Sequence, residues 1–270
     1  MSKRGPSPAH CSFRGPLVIE PASASDPRWG SEGRDEKAQA ILQTLVAVDG
    51  PGIVKGTWLD VGCGSGMIAA CLATRVERMI GVDPESWARW SDFSDQCTNL
   101  EFHAASYRDL PNIVPHGSVD VVVCNQVYEH VDSPVDLLAS IHSILAERGI
   151  CYFAGPNLLW PIEPHVYLPF VHWVPREWAL KALRGLGSER HRDLDAYSLD
   201  VWRLRKLFGR TGFRAQSVFA QRARAGVDTG DGGLMLRAAA WLPASVEAAL
   251  LPILPGFNFI LRKADPPTGG

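Results

Sequence analysis

A chain of 270 residues, 46% apolar and 21% charged, can bury a full core as one α/β domain with an elaboration. Its 27 basic and 29 acidic residues leave a formal charge of -2, so no global basic field exists to hold a nucleic-acid backbone. Polyanion binding would need a local patch. No uncharged apolar run approaches the roughly twenty residues that span a bilayer, and the first thirty residues contain no signal-peptide core.

Those thirty residues are rich in Pro, Ser, Gly and Ala, and 1–34 is expected to be a mobile segment. A helix is predicted from Asp35 to about Val48, with acids in its first turn and Ala38, Ile41, Leu42 and Leu45 on one side. "DGPG" ends it. Over the next hundred residues strands alternate with helices. Strands are predicted at 57–61, 77–83, 99–104, 118–124 and 149–154, and helices at about 66–75, 86–96 and 133–147. That rhythm implies a parallel sheet with right-handed crossovers. "SVDVVVCN" is near-continuously apolar, as a central strand covered on both faces should be.

After "CYFAGPN" the rhythm stops. Residues 156–196 carry five prolines among many aromatics, and this pattern is read as a cap inserted after the fifth strand. A helix (about 198–210), a strand (213–221) and a last strand (257–263) follow. Between the last two strands lies an Ala/Leu-rich stretch, 234–254. It is read as core, as a dimer surface or as a lip against a membrane, and sequence alone leaves the three open. Residues 35–270 are expected to form one domain that carries the 156–196 insertion.

The cysteines (Cys11, Cys63, Cys71, Cys97, Cys124 and Cys151) form no C-x-x-C pair and no zinc-spaced cluster with histidine. Cys124 and Cys151 fall in strand-like runs and are expected to be buried thiols. This usage fits a reducing cytoplasm and gives no metal site.

The chemistry is signalled by "TWLDVGCGSGMIAACLA" (57–73), where Gly62, Gly64 and Gly66 follow a strand and open a helix. Such a turn presents backbone N–H groups and a helix N-terminus to a ligand at the carboxyl edge of a parallel sheet. A dinucleotide fingerprint would need glycine at position 67, which is Met67. A phosphate loop would need a Gly-Lys-Ser/Thr sequence that is absent.

With "GVDP" (81–84), "FHAASYRDLP" (102–111) and "VDVVVCNQVYEHVDSP" (119–134) in order, each at a predicted strand end, the chain resembles the class I S-adenosylmethionine-dependent methyltransferases. It is most similar to the small-molecule, sugar and quinone methyltransferases. The resemblance implies a Rossmann-like, seven-stranded, mostly parallel sheet with helices on both faces and an antiparallel last strand. It implies S-adenosylmethionine as cofactor, S-adenosylhomocysteine as product, and no metal.

Carried onto this chain, Asp60 would brace the turn and approach the methionine end of the cofactor. Gly62, Cys63 and Gly64 would lie against it. Asp83 would accept hydrogen bonds from both ribose hydroxyls, a task suited to one carboxylate. Pro84 would flank the adenine. Ser106 stands where the family usually has an aspartate for the adenine amino group, so that contact departs from the pattern. The Tyr107 backbone N–H would meet the adenine ring, and Asn125 would border the methionine moiety. In this family the region around Trp29 and Arg34 often folds over the cofactor.

Methyl transfer to a hydroxyl requires alignment and a base. His130 in "YEHV" lies just past Asn125 and is either that base or a packed residue, while Glu129 reads as solvated or structural. In the insertion, Glu163 and His165 are two apart and face the same way if extended. His172 and Arg176 accompany them. The expected function is O-methylation of a small-molecule or glycan hydroxyl, because "NQVYEH" replaces the Asn-Pro-Pro-Tyr/Phe signature of amino-methylation. The alternative is a degenerate, cofactor-binding regulator or scaffold.

Overall fold

The computed structural model describes residues 33–162, 198–230 and 234–264, together with Cys11 and the short stretches 169–170, 173–174, 177–179 and 181. Helix α1 (Arg34–Asp49) buries Ala38, Ile41 and Leu45 along one stripe, and carries Asp35 and Glu36 where the helix dipole favours acids. Strand β1 (Thr57–Val61) leads through the glycine turn into α2 (Met67–Ala73). Then follow β2 (Arg78–Asp83), α3 (Arg89–Gln96), β3 (Leu100–Ala104), α4 (Leu110–Ile113), β4 (Val119–Asn125), α5 (Pro134–Ile144) and β5 (Leu145–Pro156). The chain closes with α6 (Val201–Arg210), β6 (Phe213–Ser217), α7 (Phe219–Thr229), α8 (Leu234–Ala239), α9 (Ala244–Leu250) and β7 (Gly256–Lys263).

The seven strands pair in the order β3-β2-β1-β4-β5-β7-β6. β1 to β5 run parallel, and β7 is antiparallel to both β5 and β6, as expected for the last strand. Val121, Val122, Val123 and Cys124 of β4 are fully buried between two apolar layers. One layer, on the α5 and α6 face, includes Leu137, Ile141, Leu204 and Phe208. The other, on the α1 and α2 face, includes Ile41, Leu45, Met67 and Ile68. Sheet order reverses between β1 and β4, so a crevice is expected at the carboxyl ends of these strands.

Several boundaries differ from expectation, and packing explains two of them. The helix expected to 147 ends at Ile144, because Leu145 already pairs with Val119 across a register shift and β5 therefore starts early. The strand expected to 221 ends at Ser217. There the buried Glu247 of α9 accepts the N–H groups of Phe219 and Ala220 at 3.1 and 3.3 Å and the hydroxyl of Ser217. A carboxylate from thirty residues away thus caps the orphan donors of α7 and starts a helix where local β-propensity favoured a strand. The 234–254 stretch, whose role the sequence leaves open, forms α8 and α9. Ala239 and Ala240 are buried against Phe219 and Ala223, while Trp241 projects into solvent.

Cys124 and Cys151 are buried free thiols, as the sequence suggested. Cys11 and Cys97 are joined by a disulfide, which the spacing rules did not anticipate. The link spans 86 residues and fastens a point near the N-terminus to the end of α3. The remainder of the 1–34 segment, except Gly33 and Arg34, lies outside the described residues, and so does much of the 156–196 insertion.

Candidate functional site

The end of every parallel strand from β1 to β4 delivers a residue singled out in the sequence. After β1, Gly62, Gly64 and Gly66 take φ of 70°, 51° and 80°, a left-handed path that other residues rarely follow. Packing explains two of them. A Cβ on Gly62 would sit 2.6 Å from Val127, and one on Gly66 would sit 2.7 Å from Phe102 and 3.0 Å from Trp90. The turn is therefore pressed between the segment after β4 and an aromatic wall. Gly62 and Cys63 both donate their N–H groups to the Val82 carbonyl, which ties the turn to the end of β2.

Asp83, half-buried at the end of β2, closes the turn. Its Oδ2 accepts the Gly64 N–H at 2.9 Å and its Oδ1 accepts the Glu85 N–H at 3.0 Å. Each carboxylate oxygen keeps a second lone pair, so the same group can take two more O–H donors. Pro84 beside it is exposed. Asp60 lies beneath, at 3% exposure. Burial, opposed by Arg34 and aided by Asp83, pushes its carboxyl up to about 8. Burial lowers the pKa of Arg34, and the Asp60 carboxylate acts against that shift. The Cys63 thiol is buried and pushed up, first by desolvation and then by Asp60 and Asp83, which makes it an inert wall.

Two residues that hold this turn were not picked out in the sequence. Trp90 of α3 donates its indole N–H to the Gly64 carbonyl at 3.0 Å and stacks on Phe102 with centroids 5.0 Å apart. Gly81 leaves room for Phe102, whose ring would meet a Cβ there at 2.4 Å. Only the sheet register brings Gly81 and Phe102 side by side, so no local pattern announces the pair.

After β3, Ser106 forms a capping box. Its Oγ accepts the Arg108 N–H at 3.3 Å and the Asp109 carboxylate accepts its own N–H at 3.1 Å. The Tyr107 backbone follows, and its buried ring is held by donation of the hydroxyl to Asp132 at 2.6 Å. Arg108 pairs with both Asp132 and Asp136 at 2.9 and 3.2 Å. These ties join the β3 exit to the β4 exit across the crevice.

After β4, Asn125 is half-buried, and Gln126 takes a positive φ of 59° while donating its N–H to the Ala154 carbonyl. Tyr128 is a further residue that the sequence reading passed over. Its buried hydroxyl donates to the Pro156 carbonyl and accepts the Leu199 N–H at 3.2 Å, tying β4, β5 and the entry to α6 together. Glu129 is fully buried rather than solvated, and His130 is exposed at the crevice edge. Above β5, Asn157 donates to the Pro252 and Leu254 carbonyls, both at 2.8 Å, and anchors the start of the 156–196 insertion to the 234–254 region. Glu163, His165, His172 and Arg176 lie outside the described residues. Among the described residues, no group of His, Cys, Asp or Glu is arranged to hold a metal ion.

Residues 31–218, well over half of the chain, match the family model for the methyltransferase domain. The chain belongs to the methyltransferase domain family. It is 29% identical over 164 residues to a ubiquinone biosynthesis O-methyltransferase of Neisseria meningitidis serogroup C, covering 58% of this chain and 66% of the relative. It is 29% identical over 103 residues to the enzyme of the same name from Acinetobacter baylyi, covering 37% and 43%. The methyltransferase chain thus spans between 43% and 66% of the length of these two relatives. Among solved structures it shares its fold with the plantazolicin methyltransferase BamL in complex with a triazolic desmethylPZN analog and SAH, with a TM-score of 0.55, 15% identity and coverage of 86% and 85%. The Burkholderia thailandensis 1,6-didemethyltoxoflavin-N1-methyltransferase with bound S-adenosylhomocysteine gives a TM-score of 0.51 at 18% identity, covering 87% and 80%. The class I methyltransferase fold inferred from the motifs is the fold found.

Proposed function

We propose that this methyltransferase transfers a methyl group from S-adenosylmethionine to a hydroxyl oxygen of a small organic or glycan acceptor. The observation that carries the reading is the closed arrangement of Gly64 and Asp83 at the sheet's switch point, with buried Asp60 below it. The bound cofactor would supply an electrophilic methyl on a sulfonium. Asp83 would use its remaining lone pairs for the ribose hydroxyls. Asp60, Arg34 and Asn125 border the end of the crevice where the methionine part belongs, and the Arg34 guanidinium suits its carboxylate. Ser106 and Tyr107 would edge the adenine.

The acceptor side is the edge formed by the β4 exit and the cap. There His130 is exposed, and His165 is our choice for the base that takes the hydroxyl proton as oxygen attacks. The name of the curated relatives, quinone-pathway O-methyltransferases, supports oxygen as the acceptor atom. No described helix is long and apolar enough to cross a membrane. We place the reaction in the cytoplasm, in keeping with the buried free thiols Cys63, Cys124 and Cys151. The Cys11–Cys97 disulfide is the observation against that placement.

A second reading, a cofactor-binding regulator without turnover, draws on Ser106, whose oxygen already accepts the Arg108 N–H. Incubation with methyl-labelled S-adenosylmethionine and an extract of the source cells separates the two. A labelled small molecule expected from the first reading would be missing under the second, while S-adenosylhomocysteine would bind in calorimetry under both. Saturable NADH binding would overturn both.

A further inference from the structure

The net charge of -2 hides a segregated patch. From Val201 to Val227 the chain carries seven Arg or Lys residues and not one acid. In α6, Val201, Leu204 and Phe208 are buried against the sheet, and this fixes which side faces out. Arg205, Lys206 and Arg210 all fall on the exposed side, whereas Arg203 is held by Asp200 at 3.3 Å. Trp202, at the start of the helix, is 60% exposed, an unusual place for an indole.

Backbone contacts fix where this helix starts. Leu199 donates its N–H to Tyr128 and accepts from Leu158, so α6 begins at the carboxyl edge of β4 and β5. The Leu158 carbonyl also accepts the indole N–H of Trp173 at 2.6 Å, and Trp173 packs on Phe170 with centroids 4.9 Å apart. Both rings are about half exposed. Exposed aromatics therefore gather at the top of a convex, cationic helix, next to the acceptor side of the crevice.

We propose that this face, Trp202, Arg205, Lys206 and Arg210 with Phe170 and Trp173 at its upper end, docks on the surface of an anionic phospholipid bilayer. Charge complementarity selects the occupant, since these cations have no acid among the described residues beside them. Indoles settle at the headgroup level while arginine and lysine stay with the phosphates. A nucleic-acid strand is the poorer fit, because a backbone is tracked by a basic groove and α6 offers a convex ridge. The surface stands apart from the methyl-transfer reading. Its consequence for the acceptor, delivery from the lipid phase, rests on that reading.

The test is co-sedimentation of the full chain with phosphatidylcholine vesicles that do or do not contain phosphatidylglycerol. Binding is expected only to the mixed vesicles and should fall as salt rises. Replacing Arg205, Lys206 and Arg210 together by Gln should weaken it by about a hundredfold, at roughly fivefold per cation. Trp202→Ser should weaken it further and should reduce the blue shift of indole emission that vesicle binding produces in the parent. All four side chains are exposed, so thermal midpoint and S-adenosylhomocysteine affinity should stay at parental values and show that the variants fold. Absence of binding to mixed vesicles, equal binding to both vesicle types, or tighter binding to single-stranded RNA than to mixed vesicles would overturn the proposal. Because vesicle binding is read without turnover, its failure is distinct from failure of the methyltransferase reading.

Discussion

Trp90 donates its indole N–H to the Gly64 carbonyl at 3.0 Å, while the Gly64 N–H is spent on Asp83 at 2.9 Å. One peptide of the turn is thus held from α3 on one side and from the end of β2 on the other. Trp90→Phe keeps the stack on Phe102 and removes only the donor, at a cost of about 1 kcal/mol. S-adenosylhomocysteine affinity measured by calorimetry should fall roughly fivefold, and Trp90→Ala, which also opens the wall, should lose more. Equal losses for the two variants would show that packing and not the hydrogen bond positions the turn.

Asp83→Ala removes the acceptor for Gly64, for Glu85 and, in the proposed complex, for the ribose. Charge-assisted hydrogen bonds contribute about 1.5–3 kcal/mol each, so affinity for S-adenosylhomocysteine should weaken at least tenfold. Unchanged affinity would remove Asp83 from the site.

Asp60 sets a pH dependence. Its carboxyl titrates at about 8 in the folded chain because it is buried and faces Asp83, with Arg34 acting against the shift. An unfolded aspartate loses its proton near about 3.9. Between these values the native state holds more protons, so stability falls as pH rises, by at most about 1.4 kcal/mol per pH unit from this group. Urea denaturation at about pH 5 and about pH 8 should show the decline in the parent and a flatter profile in Asp60→Asn. A cationic α-amino group near Asp60 favours its charged form, so S-adenosylhomocysteine should bind more tightly toward the upper end of that window and release a proton. Affinity that is flat across the window would place the ligand's amino group elsewhere.

The two histidines should separate by assay. His130 is exposed, so His130→Ala should change the unfolding free energy from urea denaturation by no more than about 0.5 kcal/mol. His165→Ala should leave S-adenosylhomocysteine affinity intact and lower kcat on an aliphatic hydroxyl acceptor by about 10²-fold or more, as loss of a general base does. Full activity of that variant would reduce the insertion to a wall of the pocket.

The Cys11–Cys97 link closes an 86-residue span. Chain-entropy reasoning assigns a loop of that length about 4.6 kcal/mol. Cys11→Ser should therefore lower the denaturation midpoint strongly under oxidising conditions and match the reduced parent. Alkylation before and after reduction, followed by mass spectrometry, will count the thiols. Modification of Cys11 without reductant would mean the pair is open in solution.

The sequence by itself determined the sheet, its direction and the glycine turn at its carboxyl edge. Near-continuous apolar runs such as Val119–Cys124, broken only by Asp120, read as central strands, and the alternation with amphipathic helices favours one handedness of crossover. Gly62, Gly64 and Asp83 were legible because a left-handed turn closed by a carboxylate restricts residue type at fixed spacing. What the tertiary structure decided is everything that depends on residues meeting from different strands. Glu247 starts α7 by capping it from a distance, Phe102 dictates glycine at 66 and 81, and Tyr128 joins β4 to α6. Trp90 is recruited to Gly64, and Cys11 reaches Cys97. Periodicity reports which face of an element is buried, but not which atom of a distant segment lies against it. Hydrogen bonds and close contacts act over a few ångströms, and only the folded chain brings such groups to that range.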